Sequence, residues 1–398
     1  MKRLRKIIFW CHLSAGVFAG VVILVMSVTG VLLAYERQIT AWADTRGYEV
    51  SRQEGAAALP AETLIAKARA ARTAQPATLT LRADPAAPAE IGYGREGVLF
   101  LNPYTGEMLG EGSPRTRAFF QSVTDWHRWL GAGNERRAWG RAITGACNLA
   151  FLFIVASGFY LWWPRKWTRA GLRGVTWFKR GLGGRARDFN WHNVVGFWSA
   201  APLFVVVLSS VVISYTWASN LVYRVAGEQP PQQRPQQQLP SQGRGTQPEL
   251  AVEGLNGLWA RAAQQQAGWR SISLRLPTAA EQTATFTIDA GTGGQPQKRA
   301  QLTLDRRTGE VAKWEPFAQL TLGRRLRSYL RFAHTGEVLG LAGQTVAGLA
   351  SAGGALLVWT GLSLAWRRWR AWLRRRSGRA DEVAAGAGVG LAGVRSSE

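Results

Sequence analysis

The sequence is short of the residues that build most reactive sites in soluble proteins. Its 398 residues include two cysteines, four histidines and three methionines. Cys11 and Cys147 stand near opposite faces of the apolar blocks described below, so a disulfide between them would have to cross a membrane. No CxxC or CxxCH occurs, which excludes covalent c-type haem attachment. No GxGxxG opens a βαβ unit, and the loop at 164–191 is too short for a nucleotide domain. No bound nucleotide or flavin is therefore expected. Acidic residues are scarce as well: 25 Asp and Glu stand against 49 Lys and Arg, a net charge of +24.

What the chain does have is long apolar runs, at 8–35, 141–163, 193–217 and 341–366. Each is long enough to cross a hydrocarbon core of about 30 Å as a helix. The first is too long for a signal-peptide core and has no small-residue cleavage pattern, so a retained helix is expected. Lys and Arg gather at 2–6, 165–187 and 367–379. If the spans alternate, all three clusters fall on one face, and the positive-inside bias makes that face cytoplasmic. Both termini are then cytoplasmic. Anionic lipid accounts for the basic excess at those sites, and no nucleic-acid partner is expected.

The expected order is a tail and first helix (1–35), an outer domain (36–140) and a second helix (141–163). A basic cytoplasmic loop (164–191), a third helix (192–217) and a Pro/Gln-rich linker (218–248) follow. A second outer domain (249–340), a fourth helix (341–366) and a basic tail (367–398) complete it. In the first outer domain a helix is expected over 60–72 and strands over 77–82, 89–94 and 98–102. In the second, strands are expected over 270–276, 283–289 and 300–304. Amphipathic segments at 119–130 and 317–332 lead into the second and fourth spans. The Pro/Gln tract at 227–247 cannot bury a core and is expected to be a disordered linker.

The two halves echo each other. Thr105-Gly106-Glu107 recurs as Thr308-Gly309-Glu310, and Ser157-Gly158 as Thr360-Gly361, at a common offset of 203 residues. The first and third spans align at an offset of 180, His12 on His192, Gly16 on Gly196 and Tyr35 on Tyr215. His127 and His334 match only with a gap of four residues.

All four histidines lie at the start of a span. On this topology His12 and His192 are at the cytoplasmic end and His127 and His334 at the outer end. A zinc site normally takes three or four protein ligands, and the spans hold no acidic or thiol residue to complete one at both levels. A porphyrin supplies four ligands itself and asks the protein for two. Two bis-histidine b-type haems, one per face, therefore use the histidines with none left over. Arg128, Arg141 and Arg331 outside, and Arg5, Lys6 and Arg187 inside, are candidates for haem propionates, with lipid headgroups as the competing partner. With both axial positions filled, electron transfer is the expected chemistry.

Several motifs point to a known family: LNPYTGEMLG at 101–110 with its echo LDRRTGEV at 304–311, HRWLGAG at 127–133, GFYLWWPRKW at 158–167, WHNVVGFW at 191–198 and FAHTGEVLG at 332–340. With them the chain resembles the PepSY-associated transmembrane family, which includes inner-membrane reductases for ferric siderophores. The resemblance covers nearly all of the chain apart from the Pro/Gln tract and the C-terminal tail. It implies a helical membrane fold of four transmembrane helices with two small α+β, PepSY-like periplasmic domains in an internal two-fold repeat. It also implies haem-binding histidines, matched by His12, His127, His192 and His334, and a bacterial inner membrane.

The leading expectation is an oxidoreductase that moves electrons to a periplasmic ferric siderophore and releases ferrous iron. Its electrons would come from membrane quinol or a separate soluble reductase. A quinol-linked b-type cytochrome serving another periplasmic acceptor is one alternative. A non-catalytic membrane sensor or scaffold is another.

Overall fold

The computed structural model describes residues 2–51, 56–163, 168–231 and 249–392. Most of the Pro/Gln tract, together with Arg165 and Lys166, lies outside the described residues. The chain begins with α1 (Lys2–Leu33), α2 (Glu36–Thr45) and α3 (Ala61–Ala71). Strands β1 (Thr78–Arg82), β2 (Ala89–Gly92), β3 (Val98–Leu101) and β4 (Met108–Gly110) follow. Next come α4 (Pro114–Trp129), α5 (Arg137–Trp162), α6 (Arg169–Thr176), α7 (Gly184–Ser214), α8 (Thr216–Val225) and α9 (Leu255–Gln265). The second set of strands is β5 (Ser271–Arg275), β6 (Thr283–Asp289), β7 (Arg299–Asp305) and β8 (Val311–Pro316). The chain closes with α10 (Leu322–His334) and α11 (Gly340–Ala392).

The four apolar runs become long helices: α1, α5, α7 and α11 each contain a segment long and apolar enough to cross a membrane. Their ends differ from the sequence-based bounds. α7 starts at Gly184, so His192 sits two turns inside it rather than at its start. Part of the expected basic loop is helical, in α6 and the first turns of α7.

The chain divides into two compact units. The helical unit comprises residues 1–31, 125–208 and 347–398. Ala19, Ile23, Phe151, Leu203, Val207 and Ala350 form its small apolar core. Ser27, Asn148, Ser157, Ser199 and Thr360 are buried in the same unit. Without water there is no hydrophobic drive between helices, so close contact through small residues and interhelical polar groups holds such a bundle. Gly354 illustrates this: a Cβ there would come within 3.0 Å of Ser27 Oγ.

The sheet unit comprises residues 32–124 and 209–346. All eight strands form one antiparallel sheet in the order β4-β3-β2-β1-β5-β6-β7-β8. The strands expected in two outer domains share this one sheet, where β1 pairs directly with β5, Leu79 opposite Leu274. Left apart, each set of four strands would present an unpaired edge, and the pairing removes both. Leu79, Ile91, Leu99, Ile272, Leu274, Phe286 and Leu302 pack with Leu64 and Ile65 of α3 and Leu255 and Leu258 of α9.

Matching positions of the two halves meet or repeat inside this unit. The backbone N–H groups of Glu62 and Asn256 each donate to the other's side-chain oxygen at 3.1 Å. The turns at 102–107 and 305–310 use one device: Asn102 and Asp305 each accept two backbone N–H bonds, and Gly106 and Gly309 carry φ of 70° and 71°. Five elements of this unit have no counterpart among the sequence expectations: α2, α8, which runs into the stretch expected as a linker, β4, β8 and α9. β4 is three residues long, β8 lacks a clean alternation, and α9 contains a glycine that weakens its helical signal.

Candidate functional site

Three of the four histidines stand in the helical unit, and each meets a neighbouring helix in the same way. His12 of α1 places Nδ1 2.9 Å from Ser157 Oγ of α5. His192 of α7 places Nδ1 2.9 Å from Thr360 Oγ1 of α11. His127 of α4 places Nδ1 2.9 Å from Thr29 Oγ1 of α1. In every case the next residue after the hydroxyl is a glycine lying against the ring. A Cβ on Gly158, Gly361 or Gly30 would stand 3.3, 3.4 or 3.6 Å from Cε1 of His12, His192 or His127.

The hydroxyl partners of His12 and His192, Ser157 and Thr360, stand at corresponding positions near the ends of the apolar runs at 141–163 and 341–366. His127 marks a second level. At 1.5 Å per residue, its partner Thr29 lies about 25 Å along α1 from His12. His334 is the last residue of α10, half-buried, and belongs to the sheet unit.

Local sequence holds His127 in place. Leu130 and Gly131 take positive φ and end α4. Gly140 at the start of α5 lies so close to the Trp129 backbone that no side chain fits. Thr144 Oγ1 then lies 3.0 Å from the carbonyls of both Arg128 and Gly140.

The basic residues named from sequence divide into two groups. Arg5 donates to the Leu161 and Trp163 carbonyls, and Arg187 bonds Asp188, so both have partners within the fold. Lys6 is exposed on α1. Arg141 is exposed on α5, while Arg128 and Arg331 are exposed and lie over the rings of Trp129 and Phe332. Asp188, absent from the sequence reading, is buried and gathers Ser363 Oγ at 2.7 Å, Arg187 at 3.0 Å and Arg367 at 3.4 Å.

The sheet unit contains a cavity of about 880 Å³ lined by Arg37, Arg82, Arg117, Glu36, Glu90 and Trp42, among others. It extends to Thr335, the residue after His334. Burial and the nearby Glu337 carboxylate push the Glu36 carboxyl above its ordinary range, with Arg37 opposing them.

Among the described residues no group of three or more His, Cys, Asp or Glu gathers as a metal site would require. A haem asks for less: a ring nitrogen on each side and room for a flat macrocycle. The residues around His12 and His192 fit that demand. Their rings are held by hydroxyls, glycines stand beside them, and a Cβ on Gly16, one turn along from His12, would meet nothing within 4 Å. The signal for Ser157, Thr360 and Thr29 was present in the sequence as a hydroxyl-glycine step on three spans, but only the packing links each step to a histidine.

Four membrane-length helices with histidine-hydroxyl pairs between them, and an antiparallel sheet unit in the same chain, define a multi-pass membrane protein. The chain matches the family described as PepSY-associated TM region over residues 9–368, and it belongs to that family. A search of curated proteins finds no match.

Proposed function

We propose that the protein is a di-haem b-type oxidoreductase of the bacterial inner membrane, carrying electrons outward to a periplasmic ferric siderophore. The observation that carries this reading is the placement of the histidines. His12 and His192 bond hydroxyls near the ends of the second and fourth apolar runs, and His127 bonds Thr29, about 25 Å along α1 from His12. His334 supplies the fourth ring by its correspondence to His127. In this reading His12 and His192 hold the cytoplasmic-side group, and His127 and His334 the periplasmic-side group. Arg128, Arg141 and Arg331 would be the candidates to meet the outer propionates. Haem held by these pairs would supply reversible one-electron transfer.

One electron converts ferric iron in the chelate to ferrous iron, which hard oxygen ligands hold less tightly. Membrane quinol or a separate soluble reductase supplies that electron. The cavity in the sheet unit suits the acceptor, because its arginines and carboxylates offer hydrogen bonds to a polar chelate beside the sequence position of His334.

The test is an absorption spectrum with haem quantification on purified protein, followed by rapid mixing. Two low-spin b haems per chain are expected. His12→Ala and His192→Ala should each remove one haem and leave the other's spectrum largely intact. Dithionite-reduced protein should be reoxidised by an added ferric siderophore. A colourless protein overturns the reading in favour of a sensor or scaffold. Reoxidation by quinone or copper but not by ferric chelates assigns it instead to the quinol-linked cytochromes.

A further inference from the structure

The three histidine-hydroxyl contacts have a chemical consequence that rests on the functional reading above and deepens it. A hydroxyl has one hydrogen to give. Thr360 Oγ1 lies 2.8 Å from the Leu356 carbonyl and Thr29 Oγ1 2.6 Å from the Val25 carbonyl, one turn back on their own helices. Ser157 Oγ lies 3.2 Å from the Ile154 carbonyl. Such back-bonding is the usual resting place of a Ser or Thr hydrogen inside a helix, where no water competes. With its hydrogen committed there, each oxygen can only accept from the imidazole. The proton of each neutral ring then sits on Nδ1, and Nε2 keeps a lone pair.

We infer that Ser157, Thr360 and Thr29 are positioning residues that fix His12, His192 and His127 as the Nδ1–H tautomer, making Nε2 the nitrogen available to iron. A glycine follows each of these three hydroxyls and stands beside the ring, where a Cβ would come within 3.3–3.6 Å of Cε1. The same logic extends to the fourth ring through the sequence offset of 180. Thr29 falls on Ser209, a fully buried residue of the same sheet unit as the half-buried His334, and Ser209, followed by Ser210 in place of the glycine, is assigned the equivalent hydroxyl role. Outer-shell donors of this kind typically change metal affinity by about 10–100-fold when removed.

Four histidines make the test tractable. Full-length protein labelled with ¹⁵N-histidine is purified in detergent at alkaline pH, and the ring nitrogens are read by NMR before and after hemin addition. Nδ1–H is expected for His12, His127 and His192 without haem. Thr360→Val should change the tautomer balance of His192 alone, and Thr360→Ser should restore it. After hemin addition, Thr360→Val and Ser157→Ala should each speed haem loss to apomyoglobin by about 10–100-fold from the site of His12 and His192. Thr29→Val and Ser209→Ala should act on the other site. Should Thr360→Val fail to fold, Ser157→Ala and Thr29→Val carry the same test on separate helices. Nε2–H rings in the wild type, or variants whose rings and haem loss match the wild type, overturn the inference. Nδ1–H rings in a protein that takes up no hemin keep the tautomer assignment and overturn the functional reading instead.

Discussion

The helical unit and the sheet unit differ in how much polar side chain they bury. In the sheet unit the interior is Leu, Ile and Phe, with Leu79, Ile91, Leu274 and Phe286 fully buried between strands and helices. In the helical unit many large apolar residues face outward, with Phe18 89% exposed and Trp359 66% exposed, while Ser, Thr and Asn share the interior with Ile23, Leu203 and Val207. The medium explains the difference. Water drives apolar groups inward around a sheet, whereas lipid is as apolar as leucine and leaves helices to associate through small and polar contacts. The histidines follow from this: an interior of hydroxyls and glycines offers hydrogen-bond partners and space that a packed Leu/Ile core does not.

The comparison can be broken most severely at Phe286. Its ring is fully buried and meets Trp259 edge-on, with centroids 5.8 Å apart. Phe286→Ala should destabilise the sheet unit by about 3–5 kcal/mol. Thermal unfolding followed by circular dichroism measures this, and a loss under about 1 kcal/mol would mean that the sheet does not depend on its own core.

Phe18 tests the other side of the comparison. Near the middle of α1 and facing outward, it should reject charge if its surroundings are lipid. Phe18→Arg is expected to cost about 2.5–3.5 kcal/mol in membrane insertion, read from the inserted fraction in a glycosylation-mapping assay. An unchanged inserted fraction would contradict the assignment of α1 as a span.

The smallest effect concerns charge on the sheet surface. Hydrogen bonds from Arg324 at 2.8 Å and Lys313 at 3.0 Å hold the Glu315 carboxyl below its ordinary value of 4.5. A lowered folded-state pKa adds stability above the ordinary value, and that stability fades as pH falls through the lowered one. Wild type should therefore exceed Glu315→Gln by less than about 1 kcal/mol at neutral pH, with the difference shrinking in acid. A difference that grows in acid would reverse the sign and reject the pairing.

The sequence by itself determined the four membrane-length helices, because composition and length alone decide whether a helix can lie in lipid. It also marked most of the strands and the two Thr-Gly-Glu turns, whose hydrogen bonds are local. It singled out the four histidines by their scarcity. Tertiary structure decided that β1 pairs with β5, since two unpaired edges distant in sequence leave no local trace of their match. It also decided which hydroxyl meets which histidine. Ser157 and Thr360 show in the sequence only as repeat positions and Thr29 as a small residue, until helix packing sets each of them 2.9 Å from an imidazole more than ninety positions away, and contacts at that separation arise only from the folded bundle.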